Sequence, residues 1–132
     1  MLEVSASDEN LAALFRLLSQ PVRLRILLVI GEHEACVCHL EAALGLRQAT
    51  ISQQLMVLRD SFMVTANRDG KNIYYRLANP RLLSLIRQAA DMMNIQDLVD
   101  KFSRPGPVAG CPCPHCAEAA GSLPGTYRET CS

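Results

Sequence analysis

The chain has 132 residues, the length of a single domain and enough to bury a substantial hydrophobic core. Hydrophobic residues make up 49% of the sequence and charged residues 20%, a balance that excludes wholesale disorder. No apolar run exceeds five residues, which excludes a transmembrane helix and a signal-peptide core. We therefore expect a cytoplasmic protein with no membrane partner.

The formal net charge is zero, but the charges are unevenly distributed along the chain. Residues 1–46 carry −3, residues 47–76 carry +3 and residues 77–132 carry 0. Because phosphate neutralisation depends on local charge, the basic middle segment has the distribution that a DNA-contacting module needs. Considered alone, these charges are equally consistent with an ordinary solvated surface.

Hydrophobic periodicity predicts four helices in the first half of the chain. Ser7 and Pro21 are typical of residues that begin a helix, whereas Gly31 and Gly45 are typical of residues that end one. In chain order, the predicted helices span residues 8–18, 21–30, 37–44 and 48–59. The fourth is amphipathic, with Ile51, Leu55 and Leu58 on one face.

After the fourth helix the hydrophobic period changes from about 3.6 to 2 residues. Apolar and polar residues then alternate over residues 64–77, which predicts a β-hairpin with its turn at Asp69 and Gly70. A last helix is predicted over residues 80–102, where few positions are polar. So wide an apolar surface indicates a dimer interface, with complete burial in a monomer as the alternative. Residues 103–132 are rich in Cys and Pro and are expected to form a flexible tail.

A short helix, a tight turn, a second helix and a hairpin form the element order of a winged helix-turn-helix. The predicted fold is mainly α with a small β-hairpin, and residues 1–102 form the DNA-binding and dimerisation domain. Uncharged polar side chains on the fourth helix suit base edges, and nearby cations suit phosphate. The predicted DNA-binding residues are Arg47, Gln48, Thr50, Ser52, Gln53, Gln54, Arg68 and Lys71.

Six cysteines are many for a chain without a secretory signal, and reduced thiols for metal or redox chemistry are expected. Cys36 and Cys38 lie two residues apart and do not share a helical face. Both sulfurs can reach one ion only if the third helix begins extended or unwound. A helix N-terminus favours the thiolate form, which is a soft metal ligand.

The remaining cysteines are Cys111, Cys113, Cys116 and Cys131, all in the expected tail. The first three, with His115, can complete a shell around Cys36 and Cys38, form a separate site, or remain an unstructured reactive segment. Cys113-Pro114-His115-Cys116 also looks like the redox pair of periplasmic disulfide oxidases, but no thioredoxin-like βαβ pattern surrounds it.

Four segments together resemble the ArsR/SmtB family of metal-responsive repressors. They are residues 18–27, 36–40, 48–59 and 68–77, and the resemblance covers roughly residues 10–100. The resemblance implies a dimeric winged-helix repressor, joined through its first and last helices, that leaves operator DNA when a metal or metalloid binds. It also identifies residues 34–40 as the counterpart of the family's metal box, with both thiols kept.

The sequence departs from the family pattern at several positions. His39 replaces an acidic residue, and Glu41 stands where arsenic-sensing relatives carry a third cysteine. Arg47 replaces the serine that commonly caps the recognition helix, and Asp91 does not begin the zinc-site pattern of other relatives.

The sequence therefore predicts a homodimeric repressor that binds double-stranded operator DNA and is not an enzyme. Its predicted inducer is a thiophilic ion held by Cys36 and Cys38, with arsenite or antimonite first and cadmium, lead or zinc next; no organic cofactor is expected. One alternative is a redox switch, in which the cysteines are oxidised to a disulfide or persulfide. A second is a thiol-disulfide oxidoreductase that uses Cys113 and Cys116.

Overall fold

The computed structural model describes residues 5–102, and the predicted tail of residues 103–132 lies outside them. In chain order the elements are α1 (Ala6–Leu18), α2 (Pro21–Ile30), β1 (Glu34–Cys36), α3 (Val37–Leu44), α4 (Gln48–Asp60), β2 (Val64–Asp69), β3 (Asn72–Leu77), α5 (Arg81–Met92) and α6 (Gln96–Phe102). The prediction of a mainly α winged helix-turn-helix with a small hairpin is confirmed.

The first helix begins earlier than predicted, and Ser5 rather than Ser7 is its N-cap. The Ser5 side chain accepts a hydrogen bond from the Asp8 backbone N–H, and the Asp8 carboxylate accepts from the Ser5 backbone N–H at 2.8 Å. This reciprocal capping box satisfies two amide groups that a helix end leaves unpaired. The hydrogen bonds from Ser5 hold the pKa of Asp8 below its usual value.

The sheet contains a third strand that the sequence did not predict. The strand order is β1-β3-β2 with both pairs antiparallel, so β3 lies in the middle. Strand β1 pairs Glu34 with Arg76 and Cys36 with Tyr74. It is only three residues long, too short for an alternating pattern to be recognised, and its existence depends on the long-range pairing with β3.

The predicted single helix over residues 80–102 is wrong, because the structure breaks it into α5 and α6. Asn94 has a φ of +57°, in the left-handed region that ends helices. The Ile95 N–H donates to the Ala90 carbonyl at 2.9 Å, and the Asn94 N–H donates to the Asp91 carbonyl at 3.1 Å. These two bonds form a Schellman C-cap, with Asn in the position usually held by Gly.

Helix α2 runs through the centre of the core. Ile26, Leu27 and Ile30 are fully buried, and they belong to one apolar cluster with residues from the other helices and from the sheet. In α4, the predicted apolar face is confirmed, since Ile51, Leu55 and Leu58 are all buried in this cluster. The core therefore fixes which side of α4 can face a ligand.

Gly45 makes the turn between α3 and α4, with a φ of +66°. No atom lies within 4 Å of the place where a Cβ would be added, so only backbone strain opposes a side chain there. We expect Gly45→Ala to lower the free energy of unfolding by roughly 1–2 kcal/mol, measured by urea denaturation. Gly45→Asn is the matched control and should cost less, because Asn tolerates this conformation. Equal costs for the two variants would contradict the assigned conformation.

Candidate functional site

The predicted DNA-binding residues of α4 do not share one face. Gln48 and Gln53 are exposed, as is Arg47 at the N-cap. Thr50 and Ser52, by contrast, are half-buried. Gln54 is also half-buried, and its Oε1 accepts a hydrogen bond of 2.8 Å from Arg23 Nε. Helical geometry therefore distributes the predicted DNA-binding side chains of α4 on both flanks of the apolar face as well as opposite it.

The hairpin of β2 and β3 has the geometry of a wing, with residues 69 and 72 paired across its tip. Arg68 and Lys71 are exposed beside the turn, where Gly70 has a φ of +63°. Arg59 at the end of α4 and Arg76 on β3 are exposed too, and Arg76 is 3.8 Å from the Glu34 carboxylate. The locally basic segment thus carries exposed cations on both the helix and the wing.

Cys36 and Cys38 bring their sulfurs to 3.3 Å from each other. This contact is longer than a disulfide bond of about 2.05 Å. Cys36 is fully buried and Cys38 is 8% exposed. Cys36 is extended, with φ −89° and ψ 170°, and it is both the last residue of β1 and the N-cap of α3. The expected extended start is therefore present, and the sulfurs meet without unwinding any turn of α3.

Within residues 5–102, no group of three or more His, Cys, Asp or Glu side chains is arranged to hold a metal ion. His39 and Glu41 are half-buried on α3 and do not complete such a group with the two thiols. The predicted tail ligands Cys111, Cys113 and Cys116 lie outside the described residues. The donor set on the described part of the chain is therefore a dithiol, which suits a soft ion or thiol oxidation.

The sequence reasoning missed Arg23, which contacts the recognition helix from α2. Besides its bond to Gln54, its Nη1 donates to the Leu17 carbonyl at 3.5 Å. Gln54 lies 31 positions away in sequence, so no local pattern pairs the two residues. The one available signal was the pair of arginines, Arg23 and Arg25, on the otherwise apolar helix α2, since arginine is rarely buried without a partner.

Comparisons with known proteins identify the family. Residues 20–65 match the family described as "Bacterial regulatory protein, arsR family". The chain is 36% identical over 97 residues to the transcriptional repressor SmtB homolog of Synechocystis sp., covering 72% of this chain and 74% of that protein. It is 42% identical over 77 residues to the biofilm growth-associated repressor of Agrobacterium fabrum, covering 58% of this chain and 66% of the relative.

A solved structure of the AntR antimony-specific transcriptional repressor superposes with a TM-score of 0.63 at 31% identity. The match covers 74% of this chain and 88% of that one. The chain belongs to the ArsR family, whose members are winged-helix transcriptional repressors that bind operator DNA. This agrees with the expectation of a DNA-binding regulator rather than an enzyme. No helix within residues 5–102 is long and apolar enough to cross a membrane.

The exposure of Gln53 gives a first test of base reading by α4. We expect Gln53→Ala to weaken binding to a selected operator by roughly 1–3 kcal/mol, because a side chain that reads base edges discriminates by that amount. Binding to random DNA should be nearly unchanged. Fluorescence anisotropy with labelled duplexes measures both, and equal losses on operator and random DNA would contradict the assignment of Gln53 to base reading.

Substitutions in the wing test contacts with the phosphate backbone rather than with the bases. Arg68→Ala and Lys71→Ala should weaken binding to all sequences alike, and each should reduce the slope of log affinity against log salt by about 1. An unchanged slope would mean that the wing does not contact the phosphate backbone.

Proposed function

We propose that the protein is a homodimeric repressor that binds its operator when Cys36 and Cys38 hold no ion and releases it when they bind a thiophilic ion. Arsenite or antimonite is the leading inducer, followed by cadmium, lead and zinc. The single observation that carries this proposal is the position of the two sulfurs, 3.3 Å apart at the junction of β1 and α3.

The donor set fits a soft ion, whose role is to join two or three thiolates in one coordination shell. For comparison, a tetrahedral site with Zn–S bonds of about 2.3 Å separates two sulfurs by about 3.8 Å. The sulfurs of Cys36 and Cys38 would need to separate by about half an ångström for such a tetrahedral shell, and by less for a pyramidal arsenite or antimonite centre, whose lone pair narrows the angle between the thiolates. The third thiolate that arsenite or antimonite requires is assigned to Cys111, Cys113 or Cys116, from either subunit.

The position of Cys36 connects such a small movement of the sulfurs to the proposed DNA-contacting elements. Its backbone pairs with Tyr74 in the wing strand β3, and it is the N-cap of α3. Helix α3 packs on α4, and both belong to the same apolar cluster. Because protein cores are close-packed, displacing the Cys36 side chain would also displace the elements packed around it. We infer that a change in the separation of the two thiolates displaces α3, α4 and β3, and with them the proposed DNA-contacting surface.

The similarity to AntR supports a metalloid inducer, because that relative is described as antimony-specific and is 31% identical over most of this chain. The SmtB homolog and the biofilm growth-associated repressor support the repressor function in general.

A homodimer is proposed from the apolar side chains that α1, α5 and α6 leave exposed. Phe15 of α1 is 53% exposed, and Met92 at the end of α5 is 80% exposed. Between these helices lies an apolar groove with a volume of about 230 Å³, lined by Phe15, Leu18, Met93, Ile95 and Leu98 among others. A second copy would cover these side chains and would relate the two recognition helices by a two-fold axis, with half-sites about one helical turn, ~10 bp, or a multiple apart.

One observation favours a second function, a redox switch. The two sulfurs are already in contact, and a disulfide between them needs no third thiol from outside residues 5–102. Oxidation would remove two protons and two electrons from the thiols, and one molecule of hydrogen peroxide that accepts them would become two molecules of water. The sulfurs would then approach to about 2.05 Å instead of moving apart.

Serine substitutions test the proposed switch. Cys36→Ser and Cys38→Ser should leave operator affinity nearly unchanged but prevent release by arsenite, measured by anisotropy under nitrogen. A complete switch requires about 5.5 kcal/mol of preference for the non-binding state, and loss of one of two anchoring thiolates removes much of it. Cys131→Ser is the matched control and should release normally. If both Cys36→Ser and Cys38→Ser proteins release DNA like the wild type with every ion tested, the thiol pair is not the sensor.

The same assay tests the role of the tail cysteines and distinguishes the redox switch from the metal switch. If the tail completes the site, simultaneous replacement of Cys111, Cys113 and Cys116 by Ser should also abolish release by arsenite. Persistent release would assign the tail to a separate site. Release by peroxide in the absence of metal, reversed by a phosphine reductant, would favour the redox switch over the metal switch.

A further inference from the structure

The contact between α2 and the recognition helix carries an inference about which bases the protein reads. Arg23 Nε donates to Gln54 Oε1 at 2.8 Å, and the same guanidinium reaches the Leu17 carbonyl at 3.5 Å. One arginine thus joins the last turn of α1, helix α2 and helix α4. Both Arg23 and Gln54 are half-buried, so solvent competes less with their hydrogen bond than it would at a fully exposed site.

The bond matters because a glutamine amide can be used in two ways. Its Oε1 accepts and its Nε2 donates, and the bidentate pairing with adenine uses both atoms at once. In this structure the Oε1 of Gln54 is held by a charged donor, which makes a stronger hydrogen bond than a neutral one does. One of the two lone pairs of Oε1 is thus occupied by Arg23, and we infer that Nε2 is the group that Gln54 presents to a ligand.

The charge on Arg23 strengthens this orientation. Within residues 5–102 no carboxylate lies within ion-pair distance of Arg23, and the Gln54 and Leu17 oxygens are its hydrogen-bond partners there. An arginine without a carboxylate depends on such neutral acceptors, so releasing Gln54 would leave a half-buried guanidinium poorly satisfied. Rotation of the Gln54 amide would also place its Nε2 donors against the guanidinium donors, which is unfavourable.

We propose that Arg23 is a specificity-determining positioning residue, which fixes Gln54 as a hydrogen-bond donor so that it reads an acceptor on a base edge. In the major groove such acceptors are N7 of either purine, O6 of guanine and O4 of thymine. The Gln53 side chain makes no hydrogen bond within the described residues and can both donate and accept. The proposal rests on α4 being the helix that reads DNA.

A randomised double-stranded oligonucleotide library, sequenced after selection, gives the base preferences at every position of the bound site. We expect Gln54→Ala to relax the preference at one position of each half-site by about tenfold. Arg23→Met, which removes the donors but keeps an unbranched apolar chain, should relax the same position. In the Gln54→Ala background, Arg23→Met should have no further effect on specificity, because it acts through Gln54. Additive effects, or an effect at another position, would overturn the proposal.

Gln54→Glu separates donation from acceptance. This variant keeps an oxygen for Arg23 but lacks the Nε2 donor, so it should lose the base preference while remaining folded. Gln53→Glu is the matched control, because it adds the same charge one residue earlier and should not affect the position read by Gln54. If Gln54→Glu retained the wild-type preference, the proposed donor role would be wrong.

Duplexes that contain 7-deaza-adenine at the selected position test the acceptor directly when that position is an adenine, because N7 is the only major-groove acceptor of adenine. Wild-type protein should lose about tenfold in affinity, whereas Gln54→Ala should be insensitive to the change. If Gln53→Ala alters specificity but no Gln54 variant does, the inference fails and the repressor function stands. If neither residue affects specificity, α4 is not the reading helix. All these measurements omit the inducer, so they do not depend on how the thiol switch works.

Discussion

The pairing of β1 with β3 is the constraint on which the functional arrangement depends. Three residues, Glu34–Cys36, join the wing strand through antiparallel pairing and then enter α3 without an intervening loop. The paired backbone holds Cys36 in an extended conformation, and the first turn of α3 brings Cys38 to within sulfur contact. The same short segment therefore links the wing, the helix-turn-helix and the two thiols. A change in sulfur separation has a direct mechanical route to both proposed DNA-contacting elements.

Much of the fold could be predicted from the sequence because its signals are local. Apolar periodicity indicated the face of α4 formed by Ile51, Leu55 and Leu58, and the alternating pattern with Asp69 and Gly70 indicated the hairpin. The errors arose where a local signal was ambiguous or absent. Asn94 ends α5 in a position where Gly is more common, so the break before α6 was missed. Strand β1 has no pattern of its own and forms only by pairing with β3.

The candidate site was less predictable because it depends on contacts distant in sequence. The sequence placed Gln48, Gln53 and Gln54 in one set of polar residues predicted to contact DNA. In the structure, Arg23 donates a hydrogen bond to Gln54 and orients its amide, which distinguishes Gln54 within this set. The spacing of Cys36 and Cys38 predicted a thiol pair, and only the strand-to-helix junction explains why the sulfurs meet. The proposed further ligands, Cys111, Cys113 and Cys116, lie outside the described residues.

The central claim is that the thiol pair and the DNA-binding surface are energetically coupled. Linkage requires that an ion which weakens operator binding by some factor is itself bound more weakly by the operator complex, by the same factor. Arsenite, and cadmium in parallel, can be titrated against the full-length reduced protein, both free and saturated with selected operator duplex, under nitrogen with a phosphine reductant. The account predicts weaker binding of the inducing ion in the complex, by the factor measured independently for operator release. Equal affinity of the free protein and the complex for both ions would contradict it.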